Sequence, residues 1–257
     1  MSLAALGVLP LLSSSSAVQK KQPVITDRVY FDISVGNEYI GRMVFDLYGK
    51  DAPETVSTFL QFLKGLRMSD RSMSMEDDGA SDVIDSDEQQ QVVVSYDFSL
   101  FYRCSPGFLL EGGKIPNLGL TTVGDTTFYD VGGSLINAKP QLETNSLKHS
   151  ERGLLTRKIF RVGPEFAITL AERSDLDASY TVFGKLEKGY DVLQTIENLP
   201  VIADNRRENN SLSSQLFQWQ RNLFLSLGRD VFHDRRADEI YPNKLLRRVA
   251  VIGCGLL

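Results

Sequence analysis

The sequence predicts a mostly-β fold, a closed barrel sealed by a helix at each end. Short runs of strictly alternating apolar residues recur along the chain, the period of half-buried strands. Two segments with helical spacing lie far apart, over 51–65 and 189–198. Many short strands with two flanking helices bury their apolar faces well when the sheet curls on itself, which also removes its edges.

The elements follow in order. Residues 1–24 open with MSLAALGVLPLLSSSSAVQKK, a short apolar run and then small residues. The run is too short to span a bilayer and reads as a targeting remnant or a disordered tail. Val29, Phe31, Ile33 and Val35 share one strand face, Gly36-Asn37 offers a turn, and Met43, Phe45 and Leu47 face inward on a second strand. This is a hairpin. In 51–65, Pro53 and Glu54 suit a first helical turn, Val56, Phe59, Leu60 and Leu63 form the buried stripe, and Gly65 ends the helix. Residues 67–92 are rich in Ser, Asp, Glu and Gln and read as an acidic insertion without a core.

Val92–Arg103 returns to strand character, and 114–150 reads as a loop region. Short strands are expected at 153–156, 165–170 and 180–186, then a helix over 189–198 with Val192, Leu193 and Ile196 buried. A second insertion spans about 200–246. Within it, 216–228 has amphipathic helical spacing, fit either to dock a partner or to cover the barrel. Arg248–Ile252 is the closing strand, and residues 25–257 form one domain with two insertions.

With 42% hydrophobic and 24% charged residues, the 257-residue chain has the balance of an ordinary globular protein. A net charge of -5 argues against a nucleic-acid partner. The basic pairs Arg206-Arg207, Arg235-Arg236 and Arg247-Arg248 read as solvated surface. Two cysteines, Cys104 and Cys254, and two histidines exclude a Cys/His zinc site of four protein ligands. Spacing leaves a Cys104–Cys254 disulfide undecided.

The stretch FYRCSPGFLLEGG, 101–113, sets Arg103 among apolar side chains, where an arginine is paired or functional. With the order of elements above, it carries a resemblance. It is similar to the F-H-R-x-x-P-G-F-M-x-Q-G-G motif of the cyclophilins, the cyclophilin-type peptidyl-prolyl cis-trans isomerases. Glu165–Gly184 resembles their Q-F-F-I…W-L-D-G-x-H-x-V-F-G block, and Cys254-Gly255 their C-terminal C-G. The resemblance covers almost the whole chain. It implies an eight-stranded antiparallel barrel capped by two helices, a groove on its outer face, and rotamase activity on X–Pro bonds of protein clients.

That activity has a simple physical basis. The C–N bond has double-bond character, so an X–Pro bond isomerises in roughly tens to hundreds of seconds unaided. A donor aimed at the prolyl nitrogen draws its lone pair out of conjugation, most strongly in the twisted transition state. The reaction asks for no metal and no cofactor.

Carried over position by position, the resemblance implies Arg103 as the catalytic residue. It places Phe108, Leu109, Glu111, Glu165, Ala167, Leu176 and Tyr180 around the substrate. Several of these depart from the family. Glutamates stand for glutamines at 111 and 165, Ala167 for a pocket phenylalanine, Asp175 for the tryptophan and Tyr180 for a histidine. The loop whose backbone clasps substrate is shorter, its asparagine falling near Lys158 or Ile159. Glu111 is expected to pair with Arg103 and compete with the substrate carbonyl. Two functions of different class follow: an isomerase of weakened activity, or a non-catalytic binding module, chaperone or assembly factor. The leader and insertions resemble those of chloroplast thylakoid-lumen cyclophilins, which implies a photosynthetic-complex subunit as client. A secreted or endomembrane location is the alternative.

Overall fold

The computed structural model describes residues 22–68, 92–131, 134–140, 142–202 and 241–257. β1 (Asp27–Val35) and β2 (Glu38–Leu47) form the expected hairpin, with Gly36 supplying the left-handed φ of +64° at its turn. Val29, Phe31, Ile33, Met43, Phe45 and Leu47 are fully buried, as the alternation requires.

α1 (Pro53–Lys64) starts with proline in its first turn, where the missing N–H is harmless. Its N-terminal donors are taken by a carboxylate from far along the chain. The backbone N–H groups of Glu54 and Thr55 donate to Glu143 at 3.0 and 2.8 Å. The buried stripe is Val56, Phe59, Phe62 and Leu63. Leu60, expected on it, is only partly buried, and Phe62 takes the inner place.

β3 (Leu66–Met68) and β4 (Val92–Val94) pair with each other at the two ends of the acidic insertion. Residues 69–91 of that insertion lie outside the described residues. The single strand expected over 92–103 is interrupted. Tyr96 turns into the core, the Asp97 N–H donates to Ser95 Oγ at 3.1 Å, and Phe98 adopts φ +65°. β5 (Leu100–Ser105) then begins, followed by β6 (Leu109–Gly112).

The stretch read as a loop contains a three-stranded sheet, β7 (Gly119–Val123), β8 (Thr126–Val131) and β9 (Ser134–Asn137). Its face carries little buried apolar surface, so alternation did not betray it. The Gly124-Asp125 turn between two Thr-rich runs was the available signal.

β10 (Leu154–Lys158), β11 (Phe166–Thr169), β12 (Tyr180–Lys188) and α2 (Tyr190–Glu197) follow as expected, with an unforeseen 3-10 turn (Ser174–Leu176) between β11 and β12. β13 (Lys244–Leu256) is longer than the predicted 248–252. Residues 203–240, including the segment 216–228 read as a helix, lie outside the described residues.

Eight strands close a barrel in the order β1-β13-β5-β6-β11-β10-β12-β2, every neighbouring pair antiparallel. Inside, Phe31, Phe59, Tyr96 and Phe166 stack with ring centroids 4.9 to 5.9 Å apart. α1 contributes Phe59 to this cluster. α2 lays Val192 so close to Gly41 of β2 that an added Cβ would sit 2.6 Å from it. Cys104 and Cys254 are both free, and burial pushes each thiol up to about 12.

Candidate functional site

Register builds the site. Arg103 of β5 faces Glu111 of β6, Glu111 faces Ala167 of β11, and Ala167 faces Thr156 of β10. Core side chains alternate with these: Cys104, Leu110 and Ile168 point into the barrel. One row of four residues thus crosses the outer face.

Arg103 Nη1 lies 3.1 Å from Glu111 Oε2. The arginine side chain is 40% exposed and the glutamate 14%, so water reaches the pair from the arginine side. The ring of Tyr241 packs on the guanidinium at 4.9 Å, a contact the sequence reading missed. Arg103 Nε is buried with no hydrogen-bond acceptor among the described residues.

Leu109, Ala167 and Leu176 form a separate buried apolar patch, with Phe108 and Tyr180 partly buried against it. The Pro106-Gly107 turn presents Phe108. Gly107 adopts φ +67°, and its N–H donates to Glu197 of α2 at 2.9 Å. Arg173 lies over the Phe108 ring at 4.3 Å and is held by Asp175 at 2.7 Å. That pairing holds the Asp175 carboxyl below its ordinary value. Asp175 is therefore the clamp on a cation that shields Phe108.

Glu165 pairs with Arg161, not with Arg103. Lys158 is exposed at the end of β10, and the Ile159 N–H donates to the Ser179 carbonyl at 2.9 Å. Beside Glu111, Glu165, Ala167 and Tyr180 the surface opens into a cavity of only about 10 Å³. That is about the room of one water. Tyr180 and Phe108 pack against Leu109, Ala167 and Leu176 here, so no ring-sized hollow opens beside Ala167.

Behind the row stands His149, fully buried, one of the two histidines that the sequence reading counted only against a zinc site. Its Nδ1 donates to Asp177 at 2.8 Å, and its Nε2 shares a hydrogen bond with the Thr156 hydroxyl at 2.9 Å. The His149 N–H also donates to Asp177 at 2.9 Å. Burial opposes the charge on Asp177. The His149 hydrogen bonds and Lys148 outweigh it and hold the carboxyl low. A lone buried His at the edge of a loop gives no periodic signal, so only the fold reveals it.

Among the described residues no three His, Cys, Asp or Glu side chains gather to hold a metal. No described helix is long and apolar enough to cross a membrane.

The family follows from comparison with known proteins. The family model "Cyclophilin type peptidyl-prolyl cis-trans isomerase/CLD" matches residues 30–213. The chain is similar to peptidyl-prolyl cis-trans isomerase D of Saccharomyces cerevisiae, 30% identical over 188 residues, covering 72% of this chain and 69% of that one. Peptidyl-prolyl cis-trans isomerase B of the same yeast is 28% identical over 194 residues, with 74% and 78% covered. Peptidyl-prolyl cis-trans isomerase cyp11 of Rhizopus delemar is 30% identical over 192 residues, 73% of this chain but 48% of that protein. With the barrel and the matched span in agreement, the chain belongs to the cyclophilin-type peptidyl-prolyl cis-trans isomerase family.

Proposed function

We propose that the protein isomerises X–Pro bonds in protein clients at a rate held down by its own groove. Arg103 is the catalytic residue, its guanidinium directed at the substrate carbonyl and prolyl nitrogen. Phe108, Leu109, Leu176 and Tyr180 offer the surface for the ring. Glu111 and Ala167 are the positions that weaken it, and Glu165 lies at the groove edge. The ion pair of Arg103 with Glu111 at 3.1 Å carries this reading. A guanidinium held beside a carboxylate on one side presents a weaker field to the substrate, although its Nε finds no acceptor among the described residues. An oxyanion-type donor withheld costs about 2.7–4 kcal/mol of transition-state stabilisation.

Isomerisation of an X–Pro peptide tests it. Arg103→Ala should remove the measurable rate, and Glu111→Gln should raise kcat/KM by about tenfold or more, a part of that loss being recovered. Equal rates for the unmodified protein and Arg103→Ala would end the enzyme reading. The same pair and the shallow crevice favour a second reading, a client-holding chaperone or assembly factor without turnover. Unchanged client binding in Arg103→Ala, with no isomerisation in either protein, would select it.

A photosynthetic-complex subunit as client and the thylakoid lumen as location are part of the same proposal. They are supported by the make-up of residues 1–24 and the resemblance of the insertions. Mass spectrometry of the mature N-terminus from the native source tests the location, with cleavage near Ala17 as the expected result.

A further inference from the structure

Beside the row, a cleft of about 530 Å³ opens on the seam between β5 and β13. Register makes it. Lys244 pairs with Arg103 and Val249 with Phe101, so five steps of β13 are matched to two of β5. Surplus residues in one strand must bulge away from the ladder. Leu245 turns inward and pairs with Val201, and the Leu246 N–H donates to the Pro200 carbonyl at 3.0 Å. Arg247 and Arg248 are left exposed at the rim.

Together with Lys114 and Lys244 they give the cleft four cations, and no carboxylate lies among its described lining. Lys114, Arg247 and Arg248 form no ion pair with any described residue. For a chain of net charge -5 this is a local reversal of sign. The floor is apolar, with Leu118 and Leu245, and Leu246 stands 61% exposed at the lip. One wall is shared with the candidate site. Tyr241, whose ring packs on Arg103, donates its hydroxyl to the Tyr102 carbonyl at 3.3 Å, and both tyrosines line the cleft.

We propose that this cleft binds an acidic, extended polypeptide segment, carboxylates on Lys114, Arg247 and Arg248 and apolar side chains on the floor. The Arg247-Arg248 pair is thus part of a binding surface and not merely solvated. Cations around an apolar hollow suit alternating acidic and apolar side chains. A nucleic-acid backbone would instead ask for a continuous basic stripe, and the net negative charge of the chain repels it. The inference rests on the isomerase reading in one respect only. The acidic segment belongs to the client whose proline reaches Arg103, because Tyr241 touches both places.

Fluorescence anisotropy with a short labelled peptide of alternating Glu and Leu, lacking proline, reads binding without isomerisation. The full chain should bind it, more weakly when salt rises to about 0.15 M and the Debye length shrinks. Charge reversal by Arg247→Glu with Arg248→Glu should weaken binding about tenfold at low salt and flatten its salt dependence, as for exposed rim charges. Lys114→Glu, on a different segment, should weaken it in the same direction. No binding, indifference to all three reversals, or a thymidine oligonucleotide bound as tightly as the acidic peptide would overturn the proposal. Binding that persists in a protein without isomerase activity would sink the catalytic reading and leave this one standing.

Discussion

At the level of single residues the site shows two replacements that answer each other. Ala167 is small and 3% exposed, and Tyr180 packs across it. Burial first, and the Glu111 charge second, push the Tyr180 phenol up, so it stays protonated through neutral pH. A large side chain on the rim thus fills what a small one on the floor leaves open. Ala167→Phe alone should overpack the patch and cost about 1–3 kcal/mol of stability. Adding Tyr180→His should recover most of that and raise kcat/KM by reopening a ring-sized hole. A urea double-mutant cycle measures the coupling, expected at about 0.5–3 kcal/mol in favour of the pair. Additive effects would show that Tyr180 does not fill the place of a phenylalanine. The Arg103–Glu111 pair needs a similar sense of proportion. With the arginine side chain 40% exposed, the pair contributes little to stability, about 0–1 kcal/mol. Its consequence is for the field at the groove.

Elements carry the next layer. The turn Ser174–Leu176 supplies Leu176 to the patch, yet it has only three residues and no side-chain cap. What fixes it is Asp177, which binds the backbone and ring of buried His149. The Asp177 carboxyl sits below its unfolded value of 3.8. Its contribution is therefore complete above that value and is lost as pH falls through the lower folded one. Asp177→Asn should flatten the acid limb of a stability-versus-pH curve measured by urea midpoint. It should also raise KM for peptide at neutral pH, as Leu176 loses its seat. An acid limb unchanged by Asp177→Asn would place the titration elsewhere. This device was illegible in sequence because its two ends lie 28 residues apart in chain positions with no shared period. The hairpin β1–β2 and α2 were legible, since alternation and 3.6-residue spacing are local. The sheet β7–β9 was not, because its mostly exposed strands write no apolar code. Arg103 facing Glu111 could be foreseen from a tight Pro-Gly hairpin, whereas Tyr241 under Arg103 depends on a strand that returns from far along the chain.

Across the molecule, the described residues keep the main core and the candidate groove in different places. The barrel interior holds one large cluster joining both helices and all eight strands, while the patch under the groove is a separate cluster on the outer face. Phe31 is central to the first. Its ring lies within 5.6 to 5.9 Å of Phe45, Phe59, Tyr96 and Phe166, which come from β2, α1, the turn before β5, and β11. Phe108 belongs to the second and is partly exposed under Arg173. Phe31→Ala empties a site bounded by four rings and should cost about 3–5 kcal/mol. For a domain of this size that lowers Tm by about 6–20 °C. Below the transition its kcat/KM should change little, because the cross-strand row is held by ladder hydrogen bonds rather than by that ring. Phe108→Ala should do the reverse. It should leave Tm within a few degrees and weaken peptide turnover by about ten- to two-hundredfold through lost grip on the ring. The two variants measured side by side, by calorimetry and by peptide isomerisation, separate the roles. A Phe108→Ala protein that melts as early as Phe31→Ala would mean that the outer patch is structural core, and that the groove is not free to serve a client.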